Sequence, residues 1–245
     1  MLDVKAFLLA GGRGTRLQPL TETVPKCLVS IGGTPLLGIW LDLLDRHGVG
    51  DVLLNVSHHA DQVDTYLASR SDGPAVRLVV EDRPYGNAGT VAREAAFVAG
   101  EESFWICYAD NLTDVALDRM LAIHRAHDGV MTVGLFHTPN PSASGVVQRD
   151  ARGRIVAFEE KPEHPTTDLA NAGIYAARPA LFEHIPTNAE IVDFGHDVLP
   201  RLVGRMYGHV IDQFLADVGT IGRLERASAA WRARSPELLR PEEHP

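Results

Sequence analysis

Apolar residues run unbroken from Ala6 to Ala10 (AFLLA) and then give way to glycine and charge. A short apolar run bounded by turn residues reads as a buried strand, so Lys5–Ala10 is predicted as one. From Pro35 to His47 (PLLGIWLDLLDRH) the apolar positions recur at helical spacing, and Gly48 behind them supplies the stop. The alternation then repeats: strand Asp51–Val56 with helix Asp61–Ser69, strand Val76–Val80 with helix Gly89–Val98, and strand Phe104–Tyr108 with helix Asp114–His127. Strands alternating with helices imply a mostly parallel sheet covered on both faces.

After Val130 the rhythm changes to strands at Val130–Phe136, Gly145–Arg149, Arg154–Phe158 and Gly173–Ala177, with a DARGR turn pairing the middle two as a hairpin. Helices are predicted near Pro179–His184 and His196–Val203, a strand near Tyr207–Ile211 and a closing helix over Ile221–Trp231. The expected class is α/β, a Rossmann-like mixed sheet, mostly parallel and flanked by helices, with an inserted β-hairpin region in its second half. No repeat or long linker divides the chain, so residues 1–234 are expected to form a single domain and the proline- and charge-rich residues 235–245 a frayed tail.

Composition narrows the function classes. Its 45% hydrophobic and 22% charged content is that of an ordinary globular protein. No stretch approaches the ~20 apolar residues of a spanning helix, and the first apolar run is too short for a signal peptide. A cytoplasmic protein with no membrane association is expected. A net charge of −9 argues against nucleic acid as a partner, because that function needs a basic face. Cys27 and Cys107 show no metal-ligand spacing and read as reduced thiols, although Lys26 beside Cys27 is able to lower its pKa.

An acidic protein that handles anions must concentrate its cations, and LLAGGRGTRLQPLTETVPKCL (Leu8–Leu28) does so with Arg13, Arg16 and Lys26. A dinucleotide fingerprint starting at Gly12 would need its third glycine where Leu17 stands, and no register matches a P-loop. Close-set glycines let backbone N–H groups approach an anion, and guanidinium groups fork onto phosphate oxygens. By themselves the glycines fit a tight turn with solvated arginines equally well.

The longer segment GGRGTRLQPLTETVPKCL resembles the signature of the sugar-1-phosphate nucleotidylyltransferases, the nucleotide-sugar pyrophosphorylases. EDRPYGNAGT, YADNL, SGVVQRD, FEEKP, NAGIY, DFGHDVLP and ADVGT follow in that family's order, so the resemblance runs from Ala6 to Trp231. It implies transfer of a nucleotidyl group from a nucleoside triphosphate to a sugar 1-phosphate, releasing pyrophosphate. Arg16 and Lys26 would grip the phosphates, with Arg13 auxiliary. Leu9, Ala10, Gly11, Gly12, Gly14, Thr15, Glu81, Gly86 and Ala88 would line the nucleotide. Asp110 and Asp217 would hold Mg²⁺, which prefers one or two carboxylates plus substrate phosphates and water. Gly145, Glu160, Lys161 and Asn171 would form the sugar-phosphate pocket. The sequence departs from the pattern at Ala109, where a glycine is common, and in TIGRL after Gly219, where a TP-containing segment is usual.

EDRPYGNAGT looks closest to guanylyltransferases for mannose- or heptose-type sugar phosphates. A Glu81 carboxylate accepts the adjacent N1–H and N2–H₂ of guanine, so GTP is the favoured donor, with UTP, dTTP, CTP or ATP and a glucose-type sugar as the alternative. A solvated strand-end glutamate is the competing reading of Glu81. His58, His59, His124 and His127 lack a third ligand at useful spacing and are expected on the surface. A non-catalytic regulatory homologue is disfavoured because Arg16, Lys26, Asp110 and Asp217 are all present, and a nicotinamide oxidoreductase because the third glycine is missing. The length is expected to cover the catalytic domain only, without the acyltransferase or β-helical extension of some longer relatives; a homo-oligomer is left open, as is the identity of the sugar.

Overall fold

The computed structural model describes residues 4–234, and the tail expected to fray lies outside them. The four apolar runs of the first half form strands β1 (Ala6–Leu9), β2 (Asp51–Val56), β3 (Ala75–Val80) and β4 (Phe104–Tyr108). They pair in parallel in the order β3-β2-β1-β4. The inner strands are covered on both faces, which is why β1 and β4 are continuously apolar and β2 nearly so, whereas the edge strand β3 is partly exposed and carries Arg77. Ala6, Leu8, Val52, Leu54, Trp105 and Cys107 pack on one face with helices α1 (Leu36–Arg46), α2 (Ala60–Ser69), α4 (Leu117–Arg125) and α5 (Ile221–Arg234). Their sequence neighbours Phe7, Leu53, Phe104 and Ile106 face the other side, with α3 (Asn87–Arg93) and the turns of the second half.

The second half adds β5 (Met131–His137), β6 (Gly145–Arg149), β7 (Ile155–Glu160), β8 (Leu169–Ala177) and β9 (Met206–Val210). β8 runs antiparallel to β4 and to β5, β9 lies parallel to β5, and β6 and β7 form the expected hairpin, making nine strands in one sheet. β8 starts four residues earlier than Gly173, where its pattern begins to read as a strand. The register against β5 shifts between Asn171 and Tyr175, and Gly173 stands at φ 68°, a bulge that hides the period. A Cβ at Gly173 would lie 2.5 Å from the Tyr108 ring, so the bulge and the tyrosine are built for each other.

Three expected helices are corrected, the one near Pro179–His184 being a 3₁₀ turn. The helix expected over Gly89–Val98 starts at Asn87, ends at Arg93 and continues as a 3₁₀ turn, Ala95–Val98. The segment expected as a helix over His196–Val203 is a π-helical turn, Phe194–Val198, running into a 3₁₀ turn, Leu199–Leu202, where Pro200 has no N–H for a regular ladder. A small antiparallel ladder, Asn111–Thr113 against Leu215–Asp217, went unforeseen because three-residue strands carry no readable period.

His124 is also not on the surface: it is fully buried in α4. The backbone N–H of Gly129 donates to His127 Nδ1 (3.0 Å), so the His127 proton sits on Nε2 and is given to Thr132 Oγ1 (2.7 Å). The Thr132 hydroxyl in turn donates to His124 Nδ1 (3.0 Å). Burial and then the nearby Arg178 charge lower the pKa of His124 to about 3 and of His127 to about 4. Both imidazoles are therefore neutral structural groups. The native state refuses protons that the unfolded chain accepts below pH 6.5, so stability is full above that value and falls as the pH drops toward 4. Thermal unfolding midpoints should follow that slope, and His124→Asn should flatten it while lowering the midpoint at pH 7; an unchanged slope would remove His124 from the account.

Candidate active site

The strand order reverses between β1 and β4, and ligands of open α/β sheets bind at such a point, outside the carboxyl ends of the strands. A cavity of about 470 Å³ opens there. Leu9, Ala10, Gly11, Gly12, Gly14, Thr15, Arg16, Lys26, Glu81, Gly86 and Asp110 all line it, so most of the candidate phosphate- and base-side positions converge. Ala88 does not: its side chain is buried, and its N–H donates to Val192 O (3.0 Å).

The glycine loop is tied to the end of β2. Ala10 N–H donates to Asn55 Oδ1 (2.9 Å) and Ser57 Oγ donates to Gly11 O (2.8 Å). A Cβ at Gly11 would stand 2.6 Å from Asn55 Nδ2, so only glycine lets the backbone lie this close. Farther on, Thr21 Oγ1 donates to Gly14 O (2.7 Å). Asn55 and Ser57 were not singled out in the sequence, yet Asn55 is a polar residue inside the otherwise apolar end of DVLLNV, which is a readable signal.

The cations and carboxylates meet at the other end of the cavity. Lys26 Nζ lies 2.9 Å from Asp110 Oδ2. Arg16 is exposed, with Nη2 3.3 Å from where a Cβ on Gly219 would be. The unforeseen ladder pairs Asp217 with Asn111, and Val218 N–H donates to Asp110 O (3.2 Å), so the two aspartates stand one residue apart across the ladder. Asp217 accepts from Gly219 N–H (2.6 Å) and from Arg223 Nη1. That arginine comes from TIGRL, the segment that departs from the family pattern. No group of three or more His, Cys, Asp or Glu side chains suited to a metal is found among the described residues. Two partly exposed carboxylates do not make a protein-only cage, but they fit an ion that keeps water and takes its remaining ligands from phosphates. Arg13 is exposed and does not line the cavity. Cys27 lines the cavity, and burial pushes its thiol up to about 12, which agrees with its reading as an ordinary reduced thiol.

Glu81 is 7% exposed, which excludes the solvated reading. Its Oε1 accepts from Asn55 Nδ2 (3.1 Å) and from the Thr90 hydroxyl. Its Oε2 lies 3.1 Å from a Cβ built on Gly11 and has no hydrogen-bond partner among the described residues. One face of the carboxylate is thus held by the protein and the other is turned to the loop.

The candidate sugar residues form a neighbouring cluster rather than lining this cavity. Gly145 pairs with Glu160 across the hairpin, and Glu160 Oε2 occupies the space where side chains on Gly145 or Gly195 would stand, 2.5 and 2.6 Å away. Lys161 adopts a left-handed φ of 49°, and its ammonium lies 3.4 Å from Glu160 Oε1. Asn171 Nδ2 donates to the Tyr175 hydroxyl (2.7 Å), Tyr175 donates to Tyr108 (3.4 Å), and Asn87 Nδ2 donates to both Tyr108 (2.8 Å) and Asp193 Oδ2 (2.8 Å). Tyr108 and Asn87 line the cavity, so this chain of hydrogen bonds joins it to Asn171.

Comparison with known proteins agrees with this architecture. The profile of the nucleotidyl transferase family matches residues 5–234. Mannose-1-phosphate guanylyltransferase of Mycobacterium tuberculosis is 33% identical over 93% of this chain, which spans 64% of that protein. UTP–glucose-1-phosphate uridylyltransferase of Synechocystis is 30% identical over 89% of this chain, which spans 61% of that protein. HddC of Yersinia pseudotuberculosis, solved in complex with GMP-PN, shares the fold with a TM-score of 0.77 at 22% identity, covering 93% of this chain and 99% of that one. No helix among the described residues is long and apolar enough to cross a membrane. With the profile spanning residues 5–234 and the cavity seated at the reversal of the sheet, the chain belongs to the nucleotidyl transferase family.

Proposed function

We propose that this protein transfers a nucleotidyl group from a nucleoside triphosphate, GTP by preference, to a sugar 1-phosphate of the mannose or heptose type. The observation that carries the reading is the convergence of the glycine loop, Arg16, Lys26 and Asp110 on one cavity, with Asp217 paired to Asn111, the next residue after Asp110, in the small ladder. An oxygen of the sugar phosphate attacks the α-phosphorus and pyrophosphate leaves. That oxygen is already largely ionised near neutral pH, since phosphate monoesters have a second pKa of about 6, so no general base is needed. The barrier lies in bringing two anions together, and the protein lowers it by positioning and charge.

Each group then has a task. Backbone N–H groups of Gly11, Gly12 and Gly14 approach the triphosphate, Arg16 forks onto its oxygens, and Lys26 reaches them from beside Asp110. Asp110 and Asp217 are the residues that would hold Mg²⁺, whose contribution is to neutralise phosphate charge. Glu160 and Lys161 receive the sugar hydroxyls and its phosphate. Phosphorus NMR of a mixture of triphosphate and sugar 1-phosphate tests the transfer: pyrophosphate and a sugar nucleotide should appear together and only when both substrates are present. Triphosphate hydrolysis independent of the sugar would overturn it.

Glu81 supports guanine as the base. With Oε1 held by Asn55 and Thr90, Oε2 remains to accept from N1–H and N2–H₂, whereas other bases leave it partly unpaired at a cost of ~1–3 kcal/mol. The expected preference for GTP is roughly ten- to a hundredfold in kcat/KM. In competition between triphosphates at equal concentration, Glu81→Gln should erode that preference more than it slows a poor substrate. A wild-type preference for another base would refute guanine, and an unchanged preference in the variant would remove only the role of Glu81.

A further inference from the structure

We infer that the Tyr108 hydroxyl donates a hydrogen bond to a ring hydroxyl of the bound substrate, either on the ribose of the nucleotide or on the sugar 1-phosphate. The inference rests on the transfer reading for its ligands, and on proton accounting for its direction. The amide of Asn87 is oriented by Phe194 N–H, which donates to its Oδ1 (2.6 Å), so the Nδ2 group faces Tyr108 as a donor. The amide of Asn171 is oriented in the same way by Gly173 N–H, which donates to its Oδ1 (2.9 Å), so its Nδ2 donates to Tyr175. Tyr175 is fully buried, and the only acceptor its O–H reaches among the described residues is the Tyr108 oxygen (3.4 Å). Reversing that bond would strand the Tyr175 proton in the core, which costs the desolvation of an unpaired donor.

Tyr108 oxygen thus accepts twice, from Asn87 and from Tyr175, and its own proton has no acceptor among the described residues. The side chain lines the cavity, and its ring is fixed against the bulge at Gly173. Burial raises its pKa well above the ordinary tyrosine value, so the proton is present throughout the working pH range. A fixed donor at the border between the base-side cavity and the Asn171 cluster is placed for a neutral hydroxyl oxygen of either substrate's sugar ring.

Tyr108→Phe removes the donor and keeps the ring. Calorimetry with the preferred ribonucleoside triphosphate and its 2′-deoxy and 3′-deoxy forms reads the ribose arm without needing turnover. If ribose is the acceptor, the variant binds the ribonucleotide roughly three- to tenfold more weakly, and the loss disappears with one of the deoxy forms. If the other sugar is the acceptor, nucleotide affinity is unchanged and KM for the sugar 1-phosphate rises by the same factor with kcat nearly kept. No loss in either arm, or an equal loss with all three nucleotides, would overturn the inference and leave Tyr108 a packing residue. Tyr175→Phe, which leaves the Tyr108 proton in place, should retain the wild-type discrimination between ribo and deoxy ligands; if it is lost there too, the donor role fails. Absence of any sugar-dependent pyrophosphate release, with nucleotide binding intact, would instead count against the transfer reading alone.

Discussion

Asp110→Asn should lose nucleotidyl transfer by roughly a thousandfold in kcat, and Asp217→Asn by a comparable factor, with little change in thermal stability. Each carboxylate is partly exposed and ion-paired, so its removal costs little folding energy in high dielectric. The loss is expected because the amide keeps the shape while removing the charge that an ion between the phosphates and the protein needs. The variants should also lose the protection from thermal unfolding that Mg²⁺ with a triphosphate confers on the wild type, a readout separate from turnover. Normal rates for both variants at saturating Mg²⁺ would refute the assignment.

Arg16→Ala should lower kcat by about a hundred- to a thousandfold, and Lys26→Ala similarly, because each removes a charge-assisted contact that strengthens as charge moves onto the leaving pyrophosphate. Arg13→Ala should be much milder, since Arg13 is exposed and does not line the cavity. Steady-state kinetics of the three variants decides this: if Arg13→Ala were the most damaging, the placement of the triphosphate along the loop would be wrong.

The parallel half of the sheet was legible because its strands are short and mostly apolar, and the helix Leu36–Arg46 because its apolar residues keep one period. Asp51–Val56 and Phe104–Tyr108 came out at their observed bounds. The site was legible where chemistry is carried by consecutive residues, as in the glycine loop. It was illegible where two distant segments make it together. Nothing local in Asn111–Thr113 or Leu215–Asp217 announces a ladder, yet that ladder pairs Asp217 with the residue that follows Asp110. The same holds for Asn87, Tyr108 and Asp193, whose hydrogen bonds join segments up to 106 positions apart. His124 shows the reverse error, since a residue's type and its neighbours in sequence say little about burial, which decided its state.

The most direct test of the proposed activity is a matrix of nucleoside triphosphates against sugar 1-phosphates in the presence of Mg²⁺, read simultaneously for pyrophosphate and for sugar nucleotide. The account predicts equal amounts of the two products, highest for GTP with a mannose- or heptose-type sugar 1-phosphate, and none in wells lacking either substrate. Sugar-independent release of pyrophosphate, or no product in any well from protein that still binds triphosphate, would contradict it.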